Sequence, residues 1–259
     1  MFPHTGGKNY NWRESMNQFL LWITEHNLNK LLYNVLFVAG GVALLLFCIF
    51  NAKNYKLPLK KIIPFVLIVY AISLAWMFFL YWAESGFKNF GGNNIVRIFV
   101  WVPLFAYPFT KLFGLDFKTI CDYLAPVVCV QHGVSHFGCI FQGCCHGYPW
   151  AQGIWNPALN YNTFPIQPIE ALVAVGIVLL IWLKEKKGGF KVTGKFYPTM
   201  LILFGYSRFL LEFARDNEKL FLGVSSLAVH ALIMGIVGTE WHIILSHKEL
   251  RAERRSSHK

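Results

Sequence analysis

From residue 31 onward, long apolar runs alternate with short polar or basic stretches. A bilayer core of roughly 30 Å takes about 20 apolar residues per helix. Residues 31–50, 62–82, 95–114, 120–142, 166–183, 197–213 and 223–245 fit that length. The pattern predicts an all-α polytopic membrane helical bundle of about seven transmembrane helices. The third run carries Pro103 and Pro108, which a membrane helix tolerates where neighbours satisfy the freed backbone groups. The sixth is short, as a tilted or partly buried helix would be. Ahead of the first run, Trp12, Met16, Phe19, Leu20 and Ile23 recur at helical spacing. Residues 1–30 are therefore expected to hold an amphipathic segment on the membrane surface. They lack the apolar region and small-residue cleavage site of a cleavable signal peptide. The expected organisation is that segment, a transmembrane domain over 31–245 and a basic tail over 246–259.

Composition agrees: 55% of residues are hydrophobic and 14% charged, against roughly 25% charged in soluble domains. A net charge of +11 would suggest nucleic acid for a soluble protein. Here the basic residues crowd between the apolar runs, where they set orientation, and no nucleic-acid partner is expected. Lys53, Lys56, Lys60 and Lys61 follow the first run with no acid among them. Lysines again dominate between the fifth and sixth runs, and the tail after the seventh is basic. Residues 143–165 contain no Lys, Arg, Asp or Glu. With seven spans the three basic segments share one side, so the N-terminus is expected outside and the C-terminus in the cytoplasm.

This topology gathers the ionisable residues of the spans toward the outer face. The fourth run ends with His132 and His136, the fifth begins with Gln167 and Glu170, and the sixth ends with Arg208, Glu212 and Arg215. Arg97 opens the third run, and His230 lies in the seventh. Charge in hydrocarbon is costly, so such residues face one another or a wet cavity. Arg208, Glu212 and Arg215, at i, i+4 and i+7, share a helix face. An ion pair between Glu170 and an arginine is one reading. An anionic ligand is the other, since the planar fork of arginine suits a lipid phosphate.

The segment Gly138–Pro149 holds three glycines, a proline and no charge, as expected of a tight re-entrant turn whose backbone approaches a ligand. Of six cysteines, Cys139, Cys144 and Cys145 fall here, and no CxxC spacing occurs. Neither a disulfide framework nor a zinc finger is indicated. With His136 and His146 they offer ligands for zinc or copper, but adjacent cysteines seldom serve one tetrahedral zinc. No metal and no cofactor is expected.

Three blocks together resemble the prolipoprotein diacylglyceryl transferase family, in its cysteine-rich form. They are Gly138-Cys139 through Gly143-Cys144-Cys145-His146-Gly147-Tyr148-Pro149, then Pro165-Ile166-Gln167-Pro168-Ile169-Glu170, then Gly205-Tyr206-Ser207-Arg208 through Glu212 to Arg215-Asp216. Their order and spacing also match, over roughly residues 85–240.

The resemblance implies an integral protein of the bacterial plasma (inner) membrane with its active site toward the exoplasmic side. It implies a phospholipid donor, phosphatidylglycerol, and an acceptor cysteine in a lipobox-containing preprolipoprotein or another thiol, with glycerol phosphate leaving. Arg208 would bind phosphate, and Glu212 and Glu170 would orient it or the glycerol hydroxyls. Arg215 would close the cavity, Gln167 would contribute to substrate binding, and backbone amides around Gly143 and Gly147 would steady the headgroup. Two positions depart from the pattern. Ser135-His136 stands where the family has Gly-Arg, and Phe90, before Gly91 and Gly92, stands where it has histidine. His136 or His132 is then expected to supply the base for the thiol, and Arg97 the lost positive charge. The alternative is a non-enzymatic membrane protein that binds a lipid or a metal through the His/Cys cluster.

Overall fold

The computed structural model describes residues 11–88, 95–190, 193–216 and 224–257. Phe90, Gly91 and Gly92 lie outside them. Eight helices account for most of the described chain: α1 (Trp12–Glu25), α2 (Asn29–Asn54), α3 (Leu59–Glu84), α4 (Val102–Phe113), α5 (Phe117–Gln142), α6 (Ile166–Lys186), α7 (Phe196–Glu212) and α8 (Ser226–Ser257). Five of them, α2, α3, α5, α6 and α8, are long and apolar enough to cross a membrane. Their outward faces carry large exposed apolar side chains such as Val38, Leu46, Leu172, Leu180 and Ile236. A soluble protein would hide such a surface, and lipid solvates it. The fold is an all-α helical membrane bundle.

The other two apolar runs take shorter forms. Residues 95–114 divide into a 3-10 turn (Ile95–Ile98) and α4, because Pro103 sits at the start of α4, where its missing N–H costs nothing. The sixth run is the 17-residue α7. One feature corrects the purely helical expectation. Pro149–Asn156 (β1) and Tyr161–Thr163 (β2) pair antiparallel in a small hairpin between α5 and α6. The amphipathic α1 docks on it, burying Leu20 against Ile140 and Ile154 and burying Ile23 as well, while Trp12 and Phe19 stay exposed.

Helix α5 is central, packed against α2 and α6 and touching α7. Asp116 caps its start by accepting from Thr119 N at 2.8 Å, the preferred role of Asp at an N-cap. Gly143 ends it in the left-handed conformation, φ +72°. Buried polar bonds fix the neighbours. The Asp122 carboxylate accepts from Gly194 N at 2.6 Å and Phe196 N at 2.8 Å, which sets the start of α7 on α5. Asn51 Nδ2 donates to Tyr123 O at 3.0 Å, and Tyr123 donates to Cys48 O at 3.1 Å, which ties α2 to α5. α7 and α8 pack closely: a Cβ on Gly205 would stand 2.5 Å from Gly235 N. These contacts hold three helix ends, of α5, α6 and α7, around one point.

Candidate active site

At that point Glu170 of α6 is enclosed by two arginines and a histidine. Arg208 Nε lies 2.9 Å from its Oε1, Arg215 Nη2 lies 2.7 Å from its Oε2, and His136 Nε2 bonds the same Oε2. Glu212 bridges the arginines, bonding Arg208 Nη1 and lying 3.5 Å from Arg215 Nε. All five side chains are buried. Two arginines and two glutamates balance, as buried charge requires. The helical spacing of Arg208 and Glu212 aims both inward from α7. Arg215 is fixed just past the helix by a backbone bridge to Gly147, so the loop and the cluster are set by one contact.

His136 is held by Glu170 through Nε2, while its buried Nδ1 has no partner among the described residues. His132 packs edge-on against His136, ring centroids 4.4 Å apart, with its Nε2 3.8 Å from Glu170 Oε2. Both histidines, both arginines, Tyr33, Cys139 and Cys145 line one cavity of about 70 Å³, room for a few water molecules. Gln167 joins from behind, donating from Nε2 to Cys144 O at 2.9 Å.

Two expectations are revised by the geometry. The amides of Gly143 and Gly147 are engaged within the protein, donating to Cys139 O at 2.9 Å and Phe164 O at 3.2 Å. They build the loop and are not free for a headgroup. A Cβ on Gly143 would stand 2.4 Å from Asn156 Oδ1, and one on Gly147 would stand 2.7 Å from Phe164 O, so only glycine fits at either place. Arg97 belongs to a separate group. It pairs with Glu84 at 2.7 Å, and Glu84 also accepts from Ser226 at 3.1 Å and lies 3.5 Å from His230.

Sequence reasoning missed Ser225 and Asn156. Ser225 Oγ donates to Glu212 Oε1 at 2.6 Å and accepts from Ala228 N at 3.1 Å, capping α8 while it orients the site carboxylate. Its signal was a serine just ahead of an apolar run. Asn156 Nδ2 donates to Gly143 O at 3.0 Å and fastens the loop to the hairpin, a long-range contact without a local signature. In the loop, the thiols of Cys139 and Cys144 hydrogen-bond the Cys145 thiol and hold its pKa well below the usual cysteine value. Burial opposes this shift, and nearby Arg215 and His136 reinforce it.

A helical membrane bundle with a buried, charge-balanced Arg–Glu–His cluster beside a small cavity defines a class: an integral membrane protein with an internal polar site. The family model of the prolipoprotein diacylglyceryl transferases matches residues 31–244, and the chain belongs to that family. Among curated relatives, it is 31% identical over 166 residues to the phosphatidylglycerol–prolipoprotein diacylglyceryl transferase of Methylobacillus flagellatus, covering 60% of this chain and 62% of that one. It is 29% identical over 147 residues to the enzyme of that name from Bordetella avium, covering 54% of each. Phosphatidylglycerol–prolipoprotein diacylglyceryl transferase 2 of Clostridium perfringens is 27% identical over 128 residues, or 46% of this chain and 48% of the relative. The chain thus matches about half to three-fifths of the length of these relatives.

Proposed function

We propose that this chain is a membrane transferase that moves the diacylglyceryl group of phosphatidylglycerol to a cysteine thiol of a prolipoprotein. The observation that carries the reading is the joining of Arg208, Arg215, Glu170, Glu212 and His136 in one buried cluster beside a cavity. The thiol sulfur attacks the glyceryl carbon that bears the phosphate ester, the carbon–oxygen bond breaks, and glycerol phosphate leaves with the electron pair. Arg208 and Arg215 take the phosphate from the carboxylates and meet its growing charge. Glu170 and Glu212 orient the arginines and bond the glycerol hydroxyls, with Gln167 steadying the loop above them.

His136 is the general base. An ordinary thiol, pKa about 8.5, is only slightly ionised at neutral pH. Nδ1 of His136 faces no other partner among the described residues and accepts the thiol proton while Glu170 holds the ring, the arrangement of a nucleophile–base–orienter relay. His132 fixes the ring from its other side.

Seven spans, with α4 and α7 completing the five long helices, put the N-terminus and the cluster at the exoplasmic side of the plasma membrane. Residues 1–30 then lie on the outer surface, 31–245 form the transferase domain, and 246–259 form a basic cytoplasmic tail. Incubation of the purified chain with phosphatidylglycerol and a lipobox peptide tests the reading. The peptide mass should rise by one diacylglyceryl group, and an unchanged peptide with intact lipid would refute the transfer.

A further inference from the structure

Cys139, at the end of α5, and Cys144 and Cys145, in the loop beyond it, bring their sulfur atoms within 4.8 Å of one another. Neighbouring residues in extended chain point to opposite sides. Here Cys145 takes a left-handed conformation, φ +58°, which a non-glycine residue rarely adopts and which stores strain. That turn and the one at Gly143, φ +72°, bring the thiols of both adjacent cysteines to Cys139. The other three cysteines (Cys48, Cys121 and Cys129) are fully buried, whereas these three are half-buried. Cys139 and Cys145 line the cavity, so a small ion has a way in.

From this geometry we propose that Cys139, Cys144 and Cys145 form a three-thiolate site for a soft monovalent metal ion of the copper(I) type. Thiolate sulfur selects soft ions. Three sulfurs without a fourth His, Asp or Glu ligand in the group among the described residues suit trigonal copper(I) better than zinc, which takes four ligands in a tetrahedron. Sulfurs bonded at about 2.3 Å to one central ion stand about 4 Å apart, so the thiols need to close by less than an ångström. Binding takes all three sulfurs as thiolates, and the protons that they still carry leave to solvent. The excess negative charge falls beside Arg208 and Arg215, which line the same cavity.

Titration of the reduced full-length chain with copper(I), under anaerobic competition with a chromogenic copper(I) chelator, tests the site. One equivalent should bind per chain, with X-ray absorption showing three sulfur neighbours near 2.3 Å. Cys144→Ser should weaken binding by at least about a hundredfold, beyond the loss typical of outer-shell changes at metal sites. Cys129→Ser should leave it unchanged. Failure to bind one equivalent, nitrogen or oxygen as the main neighbours, tighter zinc than copper(I), or full binding in the Cys144→Ser variant would each overturn the proposal. The wild-type spectrum alone decides it if a variant fails to fold. None of these readouts involves lipid transfer, so the outcome leaves the transferase reading standing or falling separately.

Discussion

Glu170 is paired with Arg208, Arg215 and His136, and this crowding defines what each side chain can do. An imidazole tied through Nε2 to a carboxylate presents its other nitrogen as a base. His136→Gln keeps a donor for Glu170 and removes the basic nitrogen. It should fold normally and lose at least tenfold in transfer rate, within the usual range for general-base removal; full activity in this variant would reduce His136 to a packing residue. Arg208, Glu212, Glu170 and Arg215 were legible in the sequence because a charge in an apolar run stands out. Arg97 stood out equally, yet it pairs with Glu84 at the end of α3. Depth and charge locate a polar residue without telling which partner it meets. The convergence of the three thiols was hidden because it depends on two left-handed residues, only one of them a glycine.

At the scale of elements, the site depends on helices that approach closely at small residues. α7 carries Arg208 and Glu212, α8 carries the Ser225 cap that bonds Glu212, and the two meet where Gly205 faces Gly235. Gly205→Val would drive its side chain into the Gly235 backbone. Overpacking of that kind costs about 1–3 kcal/mol, which should appear as a lower thermal midpoint of the detergent-solubilised protein together with slowed transfer. An unchanged midpoint would mean that α7 and α8 have room to separate. The apolar runs marked α2, α3, α5 and α6 to within about four residues, since twenty apolar positions leave few alternatives, whereas α8 runs on to Ser257 through the basic segment read as a tail. The break between the 3-10 turn and α4 runs against the reading of Pro103 as tolerated within one continuous span. The hairpin was not foreseen: β2 is three residues long, the pairing is irregular between Pro149 and Ile154, and its tie to α1 is the long-range bond from Trp155 N to Asn17 Oδ1.

For the whole molecule, lipid-facing helices surround a polar centre that balances its own charge. The loop over 143–165 and the hairpin cover that centre, so their side of the membrane decides where the proposed transfer would take place. A labelling reagent that cannot cross the membrane should modify an Ala158→Cys variant from the exoplasmic side, above the background of the native cysteines. Modification from the cytoplasmic side alone would invert the topology drawn from the basic segments. The most direct test of the account follows both halves of the donor at once. With phosphatidylglycerol labelled in its headgroup glycerol and a lipobox peptide present, mass spectrometry should find diacylglyceryl peptide and glycerol phosphate in equal amounts. Arg208→Lys keeps the buried charge but loses the fork, and should slow both products together by about a hundredfold, near 3 kcal/mol of transition-state stabilisation. Intact lipid with the wild-type chain, or equal rates in the two proteins, would contradict the account.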